Sequence, residues 1–360
     1  MPVNHAYLKK MTMMIFIVIT SVSAMAQVRS VDVYVPDKDS DHYVNNAVLT
    51  HFKGRFFCMW QSSAKDEDSP DTHVMYSTSR NGRKWSRPVM LAENTDSTFA
   101  SPGGWIVHGD ALTAFINVLG DIKTGGKACY KTSFDGRKWS DQKPVLMADG
   151  RSMDGILEQD PHILECGRIV GAAHFKPGLK ARPIFTDDPT GQSGWHVGDI
   201  EMEDRGNQSR GIEPSLYIKP DGTIVMLFRD QASSFRKIAS ESHDNGVTWS
   251  KPYITELIDS RSKQCAGNLP DGTAFIVSNP TEAKDRTSLG ITFSKDGMEF
   301  GNYNMLRTPE DLRPKEYEGK YKTPGYSYPK ALIYENMIYI SYSENKEKVV
   351  ITTIDIDKIR

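Results

Sequence analysis

Short apolar runs separated by turn residues characterise most of the chain, and one pair of runs shows the pattern clearly. Residues 215–218 are largely apolar, residues 220–222 (Pro-Asp-Gly) supply turn chemistry, and residues 223–228 form a second apolar and β-branched run. This pattern predicts a β-hairpin. Glu213 precedes its first strand and Arg229 ends its second strand, so the hairpin should bring a carboxylate and a guanidinium to the same end.

A second pattern, Ser-x-Asp-Gly-x-x-Trp with variants, returns at intervals of 52 to 56 residues. Asp or Asn followed by Gly forms a tight turn, in which the short polar side chain bonds the turn backbone and the aromatic residue packs beneath it. Repeats of this length are typical of arrays built from one supersecondary unit. The copies begin at Ser79, Ser133, Ser242 and Ser294, and a degenerate copy covers residues 186–195.

Hairpin turns keep the same interval and predict the fold. Each of six turn residues is followed by an apolar strand, which indicates an all-β fold, a six-bladed β-propeller of four-stranded antiparallel blades. Residues 30–35 and 348–356 alternate as strands, and we expect them to pair and close the ring. We therefore predict a single domain over residues 27–360. The six turn residues are Gly54, Asp110, Gly167, Gly222, Gly272 and Asn336.

Polar residues recur at two positions of this repeat. Because equivalent positions of successive blades converge on the axis of a propeller, both sets should line one funnel at one end of the channel. Seven residues after each turn residue stand Gln61, Asn117, His174, Arg229, Asn279 and Ser343. Just before or within the first strand of the hairpins stand Asn46, Ser101, Asp160, Glu213 and Tyr328.

The repeated turns resemble the Asp-boxes (BNR repeats) of the sialidase, or neuraminidase, superfamily. The resemblance extends to Glu213 followed by Arg229 on one hairpin, to Arg286 ahead of the turn at Ser294, and to Tyr328 near the C-terminus. It covers essentially the whole chain after the N-terminal segment. Sialidases also carry an acidic loop ahead of the first box, and residues 65–71 form such a loop here.

This resemblance implies an exo-acting glycosidase with a Tyr nucleophile. Arg229 and Arg286 would hold a substrate carboxylate, since a guanidinium presents a planar fork that matches it. Tyr328 would be the nucleophile and Glu213 its base, because a phenol is not repelled by the charge of an acidic sugar as a carboxylate would be. Asp66 or Asp68 would be the acid. Asp160, Gln61 and Asn279 are further candidates for substrate binding.

The third Arg of the sialidase site has no counterpart, and His42 occupies roughly its region. With this Arg missing and with central His residues, the chain also resembles the rhamnosidases and the rhamnose–glucuronate lyases. A lyase would need a cation beside the uronate carboxylate and a proton-transferring group, for which His42, His174 or Tyr328 could serve. A non-catalytic glycan-binding propeller is the third possibility, although binding alone would not need a Glu beside a Tyr.

Composition limits the partners. The formal charge is −2 and no basic run is present, so we expect carbohydrate, as an acidic oligosaccharide or polysaccharide, and no nucleic acid. No motif requires a metal or cofactor.

Residues 1–26 have the basic, apolar and small-residue regions of a signal peptide, with an apolar run too short to span a membrane. We therefore expect a monomer exported to the periplasm or the extracellular space.

Overall fold

The computed structural model describes residues 28–121, 125–158 and 161–359, in which antiparallel hairpins form six blades around a central axis. The predicted all-β fold, a six-bladed propeller of four-stranded antiparallel blades, is confirmed. The expected signal peptide at residues 1–26 lies outside the described residues. None of the described helices is long and apolar enough to cross a membrane.

The blades are formed by successive groups of strands, and the described residues contain two short 3₁₀ turns, at Pro309–Asp311 and Ile356–Lys358. The strands are β1 (Arg29–Tyr34), β2 (Tyr43–Phe52), β3 (Arg55–Ser63), β4 (His73–Ser79), β5 (Val89–Ala92), β6 (Phe99–His108), β7 (Ala111–Asp121), β8 (Gly125–Ser133), β9 (Lys143–Pro144), β10 (Gly155–Leu157), β11 (His162–Ile163), β12 (Ile169–Phe175), β13 (Lys180–Thr186), β14 (His196–Val197), β15 (Asp204–Arg205), β16 (Gln208–Ser209), β17 (Gly211–Ile218), β18 (Ile224–Asp230), β19 (Arg236–Ser242), β20 (Tyr253–Ile258), β21 (Cys265–Asn268), β22 (Ala274–Ser278), β23 (Leu289–Ser294), β24 (Asn304–Arg307), β25 (Tyr326–Tyr334), β26 (Met337–Glu344) and β27 (Lys348–Asp355).

Blade one consists of β2–β5, blade two of β6–β9, blade four of β17–β20 and blade five of β21–β24. Blade three is irregular, because its innermost strand is divided into β10 and β11, which both pair with β12. Blade six is completed by the N-terminal strand, since β1 pairs with β27 and places Val31 opposite Ile351. The predicted closure of the ring by the two ends of the chain is therefore present, and β1 covers the outer edge of β27 as the fourth strand of the blade.

Apolar side chains from neighbouring blades interlock to form the core. Val48 and Phe57 of blade one pack with Trp105 and Ile116 of blade two, and similar clusters fill the other interfaces. The rings of Phe57 and Trp105 are 6.2 Å apart in an edge-to-face arrangement, which aromatic pairs favour. This packing fixes the blades relative to one another and so fixes the residues at the axis.

The repeated turns have the predicted hydrogen bonds. Asp135 Oδ1 accepts the backbone N–H groups of Arg137 and Lys138, each at 2.8 Å, and the other copies bond in the same way. Gly136 has a φ of 69°, and a Cβ at this position would lie 2.4 Å from the Phe57 ring. Glycine is therefore required both by the left-handed backbone and by the close approach to the neighbouring blade.

β-Bulges interrupt the innermost strands at the position of the second polar set. The pairing register shifts where Asn46, Glu213 and Tyr328 lie, and their φ angles are 52°, 50° and 59°. A left-handed backbone in a non-glycine residue costs about 1–3 kcal/mol and is concentrated at functional sites. Bulges of this kind redirect side chains, which explains why residues within apolar strands reach the axial cavity.

Candidate active site

An axial cavity of about 230 Å³ opens at the end of the propeller where the bulges lie. It is smaller than most ligand pockets, so it admits a small group rather than an extended chain. Its lining is mostly polar or charged, with a few apolar residues on one side. The lining residues are Asn45, Asn46, Gln61, Glu67, Asp68, Phe99, Ser101, Asn117, Leu119, Ile156, Leu157, Glu158, His174, Leu179, Ile212, Glu213, Arg229, Gln231, Lys263 and Tyr328.

Glu213, Arg229 and Tyr328 form the centre of this cavity. The Tyr328 hydroxyl donates to Glu213 Oε1 at 2.5 Å, and Arg229 Nη1 donates to Glu213 Oε2 at 2.8 Å. The hairpin β17–β18 supplies Glu213 and Arg229, whereas Tyr328 comes from the bulge of β25 in blade six. The fold thus joins a phenol and a carboxylate that are 115 residues apart in the sequence.

The charges around this pair determine where its proton resides. Burial pushes the pKa of Glu213 upward, but Arg229 and Lys263 outweigh it and hold that pKa below its ordinary value. Burial, followed by the negative charge of Glu213, raises the pKa of Tyr328 well above 10. The proton therefore resides on the phenol and Glu213 is an anion, which is the state that a base needs before reaction.

A second charged cluster, made of Glu158, His174 and Lys263, lies next to the first. Lys263 Nζ donates to Glu158 Oε2 at 2.8 Å, and His174 Nδ1 lies 3.1 Å from Glu158 Oε1. His174 Nε2 accepts the backbone N–H of Glu213 at 3.3 Å, so the hydrogen of the neutral ring is on Nδ1, towards Glu158. Both ring nitrogens of His174 therefore face protein groups, although only Nε2 has a hydrogen bond of good geometry.

Sequence reasoning identified His174 but missed Glu158 and Lys263. Glu158 follows the short apolar strand β10 directly, so a carboxylate at a strand end was the signal that could have found it. Lys263 lies in the connection between blades four and five, where the sequence shows no pattern. Its side chain is only 1% exposed, and its Nζ lies 5.0 Å from the centre of the Tyr328 ring.

The two acidic candidates of the first loop are separated by the structure. Asp68 lines the cavity, and burial together with the neighbouring Glu67 raises its pKa from 3.8 to about 6. Asp66 does not line it: its Oδ1 accepts the backbone N–H of Lys320 at 2.7 Å. Asp66 thus ties this loop to the connection before blade six, and Asp68 is the one of the two that lines the cavity.

Three cations surround the Tyr328 ring. Besides Lys263, the Arg286 guanidinium carbon and Lys346 Nζ each lie 5.9 Å from the ring centre. Arg286 does not line the cavity itself, and its Nη1 donates to Ser327 Oγ at 3.2 Å. Lys346 forms an ion pair with Glu67 and was missed by sequence reasoning, although it stands in a charged turn at the axial end of β26.

Other candidates have different surroundings. Gln61 lines the cavity and donates to the Tyr43 hydroxyl at 2.7 Å, whereas Asn279 is fully buried and donates to Ser288 O and Tyr326 O. The structure does not bring His42 to the cavity, because its ring stacks on Tyr317 at 3.8 Å. Asp160 lies outside the described residues. Within the described ranges, no three His, Cys, Asp or Glu side chains are grouped to hold a metal ion.

Residues 54–340, most of the chain, match the BNR repeat-like domain. The chain belongs to the family of BNR repeat-like domains. No curated protein sequence matches this BNR-repeat chain. The resemblance to the sialidase superfamily is confirmed at the level of this repeat family and of the propeller fold.

Solved structures that share the fold are distant in sequence. A protein of unknown function from Dyadobacter fermentans is 14% identical, with a TM-score of 0.70 over 91% of this chain and 99% of the other. NanB sialidase of Streptococcus pneumoniae is 13% identical, with a TM-score of 0.69 over 91% and 70%. The intramolecular trans-sialidase of Ruminococcus gnavus is 13% identical, with a TM-score of 0.68 over 91% and 98%. At these identities the likeness shows the fold alone.

Proposed function

We propose that this BNR-repeat protein is an exo-acting glycosidase that removes a terminal acidic sugar from a glycan. The observation that carries the proposal is the 2.5 Å hydrogen bond from the Tyr328 hydroxyl to Glu213, inside the small axial cavity. Binding alone gives no reason to keep a buried carboxylate against a buried phenol. The sialidases of similar fold support the same class of reaction.

In the first step, Glu213 takes the hydroxyl proton of Tyr328 while the phenolate oxygen attacks the anomeric carbon. The glycosidic bond breaks, and protonated Asp68 gives its proton to the departing oxygen. Negative charge moves from Glu213 to the phenolate oxygen, which Arg229, Arg286 and Lys263 stabilise by their proximity. When the bond from the Tyr328 oxygen to the anomeric carbon is complete, the negative charge is on Asp68, where Lys346 and Lys320 partly offset it.

In the second step, Asp68 takes a proton from water and the hydroxide oxygen attacks the anomeric carbon. The bond to Tyr328 breaks, and its oxygen regains the proton from Glu213. Asp68 thus alternates between acid and base, which its raised pKa of about 6 allows near neutral pH. Two displacements at the same carbon retain the anomeric configuration.

The substrate carboxylate would be held by the part of the Arg229 guanidinium that Glu213 does not engage, because Arg229 lines the cavity and Arg286 does not. Arg229 already gives Nη1 to Glu213, so part of its guanidinium is committed to the base. Lys346 is 4% exposed, is paired with Glu67 and lies outside the lining of the cavity, so it does not take the place of the missing third Arg. We expect this arrangement to accept acidic sugars other than N-acetylneuraminic acid.

A lyase acting at a rhamnose–glucuronate linkage is the alternative, but the histidines give it little support. His42 is stacked outside the cavity, and both ring nitrogens of His174 face protein groups. Tyr328 would then be the only one of the three proposed proton-transfer residues able to reach the substrate. The signal-like residues 1–26 support action outside the cytoplasm in either case.

The first test is hydrolysis by the purified chain and two variants, Tyr328→Phe and Glu213→Gln. The substrates are a sialoside and a rhamnose-capped glucuronate oligosaccharide, with products followed by mass and by the ultraviolet absorbance of an unsaturated uronate. Each variant should lower kcat by roughly 10²–10⁴-fold, because one loses the nucleophile and the other its base.

Tyr326→Phe is the matched control. Tyr326 lies two residues away on the same strand, does not line the cavity, and donates only to Thr308 O, so its variant should keep normal activity. Near-normal rates in Tyr328→Phe and Glu213→Gln would refute the mechanism. New ultraviolet absorbance without addition of water would assign a lyase instead.

A further inference from the structure

The loop that carries Asp68 joins β3 to β4 in blade one, and we call its residues 64–72 the acid loop. Asp68 has a φ of 55°, a left-handed conformation that persists in a non-glycine residue only where the surrounding structure holds it. The side of the acid loop with Asp66 and Glu67 is held by hydrogen bonds to the backbone of Lys320. The side that returns to β4 is held by other contacts.

His73, the first residue of β4, fastens the returning side of the acid loop. Its Nδ1 lies 2.9 Å from Asp71 O, and its Nε2 lies 3.0 Å from Asp41 Oδ2. The imidazole is only 14% exposed, so water has little room to replace either contact. Asp71 Oδ2 in turn accepts the backbone N–H of Ala64 at 2.8 Å, which closes the neck of the loop.

Both partners of the His73 ring are hydrogen-bond acceptors. A backbone carbonyl oxygen can only accept, and Asp41 Oδ2 already accepts the Ser62 hydroxyl at 2.6 Å. A neutral imidazole has one N–H group and could satisfy only one of these two oxygens, whereas the imidazolium has two N–H groups. The geometry therefore fits the charged ring, and it would leave the neutral ring with a nitrogen lone pair against an oxygen.

The charged groups around His73 favour the same state. Burial works against the imidazolium, but the hydrogen bonds to Asp41 and Asp71 and their negative charges outweigh burial and raise the pKa of His73 above 6.5. Burial would raise the pKa of Asp41, but hydrogen bonds from His73 and Ser62 lower it, and the charge of His42 acts in the same direction. Because the folded-state pKa of His73 is raised, its contribution to stability is present below about pH 6.5 and is lost as the pH rises through the raised pKa.

We propose that His73 is a positioning residue that, as the imidazolium, holds the acid loop in the conformation that presents Asp68 to the axial cavity. Deprotonation turns one ring nitrogen into an acceptor that faces an oxygen, so one of the two contacts is lost and the returning side of the loop loosens. The consequence for catalysis rests on the proposed function, in which Asp68 is the acid. Both His73 and Asp68 then need their protons, so the loop is ordered in the pH range in which its acid is active.

Amide hydrogen exchange of the full chain, followed by NMR between pH 5 and pH 8, tests the loop without any substrate. The N–H groups of Ala64 and Thr72 both bond within the acid loop. Their protection, corrected for the intrinsic effect of pH, should fall by roughly tenfold as His73 deprotonates, the loss expected when a hydrogen bond to a charged group breaks. The amide of Ser86, which bonds elsewhere in the same blade, should keep its protection throughout.

Three variants separate His73 from other causes of such a step. In His73→Gln, the protection of the two loop amides should be low at every pH, with no step. In Asp68→Asn the step should remain, which excludes the titration of Asp68 as its cause. His51→Gln removes a histidine that stacks on Tyr334 at the opposite end of blade one, and it should leave the step unchanged.

Kinetics test the link between the acid loop and catalysis. At pH 5, kcat/KM of His73→Gln on the preferred substrate should be lower than that of the wild type by up to roughly tenfold, in proportion to the loss of protection. The two values should converge as the pH rises, because the wild type then loses its imidazolium too. A merely structural role of His73 would give a ratio that does not change with pH.

Loop protection that stays level while the ring protons of His73 show its titration would overturn the proposal. A neutral ring at pH 5, or a ratio of kcat/KM that is constant from pH 5 to pH 8, would do the same. These outcomes are distinct from failure of the proposed function. If no substrate is hydrolysed but loop protection follows His73, the acid loop is held as proposed and the hydrolase fails. If hydrolysis occurs and loop protection is independent of His73, the reverse holds.

Discussion

The acidic residues of the repeated turns and those of the axial cavity differ in which groups bond their side-chain oxygens. In the turns, Asp135 and Asp296 accept backbone N–H groups two and three residues further along the chain. In the cavity, Glu158 meets Lys263 across 105 residues, and Glu213 meets Tyr328 across 115 residues. The hydrogen bonds of a turn aspartate come from its own loop. The partners described here for Glu158 and Glu213 come from distant parts of the chain, which only the folded ring brings to the cavity.

The pKa values reflect this difference. Backbone hydrogen bonds from Met298 and Glu299 lower the pKa of Asp296 to about 2, because they stabilise only the anion. Burial and the charge of Glu67 raise the pKa of Asp68 to about 6, and the opposing charges of Lys346 and Lys320 offset this only in part. The turns therefore hold permanent anions that support the fold, and the cavity keeps one carboxyl group able to exchange its proton.

The largest expected effect on folding comes from breaking a long-range pair. Glu158→Gln leaves Lys263 buried, at 1% exposure, without its partner. Removing one member of a buried ion pair costs about 3–5 kcal/mol, because the remaining charge is uncompensated. We expect a loss near the lower bound, since Glu158 itself is 15% exposed, and urea unfolding at neutral pH measures it.

Two further variants sharpen this result. Glu158→Gln combined with Lys263→Met should regain most of the lost stability, because neither member of this pair is left buried without the other. Glu203→Gln, which breaks the half-exposed pair with Arg205, should change stability by less than about 0.5 kcal/mol. If Glu158→Gln were no more destabilising than Glu203→Gln, the ion pair of the cavity would not contribute to the fold.

This contrast also explains what the sequence could reveal. The six blades follow from the repeat because turn chemistry is local, and Glu213, Arg229 and Tyr328 follow because they occupy fixed offsets within it. These offsets predict where a residue stands on its strand better than they predict where its side chain points. Asn279 shares the offset of Arg229, yet its side chain bonds Tyr326 O of the next blade rather than the cavity.

The residues that sequence reasoning missed come from segments without a repeat. Lys263 lies in a connection between blades, and Lys346 pairs with Glu67 across 279 residues. Such contacts depend on how the loops of different blades meet, which no local pattern encodes. The choice between Asp66 and Asp68 was left open for the same reason, since it depends on Lys320 of a distant connection.

A change of pH should have a smaller effect, and kcat/KM is the quantity that shows it. Because Asp68 must carry a proton to act as the acid, kcat/KM should fall as the pH rises through about 6, approaching tenfold per pH unit above it. Asp68→Asn should remove this limb together with most of the activity. The pH profile of kcat/KM on the preferred substrate measures both, and a profile that is flat from pH 5 to pH 8 in the wild type would exclude Asp68.

The pH dependence of folding stability provides an independent check on the raised pKa of Asp68. Its folded-state pKa of about 6 exceeds the ordinary value of 3.8, so the folded chain binds this proton more tightly than the unfolded chain does. Its contribution to stability is therefore present at low pH and is lost as the pH rises from about 4 to about 6. Asp68→Asn should lack this loss and be at least as stable as the wild type at pH 7.

The smallest effect is expected at a turn. Asp296→Ala removes the acceptor of two backbone N–H groups and should lower the melting temperature by roughly 2 °C, with kcat/KM unchanged because the turn is far from the cavity lining. Asp296→Asn keeps an acceptor oxygen and should lower the melting temperature less, since Asn81 accepts the N–H groups of Arg83 and Lys84 in the first copy of the repeat.

The pKa of Asp296 is lowered, so its contribution to stability is present above about pH 4 and is lost as the pH falls towards 2. Thermal melts of both variants at neutral pH and near pH 2 measure this, and an Asp296→Ala variant that lost activity but not stability would contradict the separation between turn and cavity.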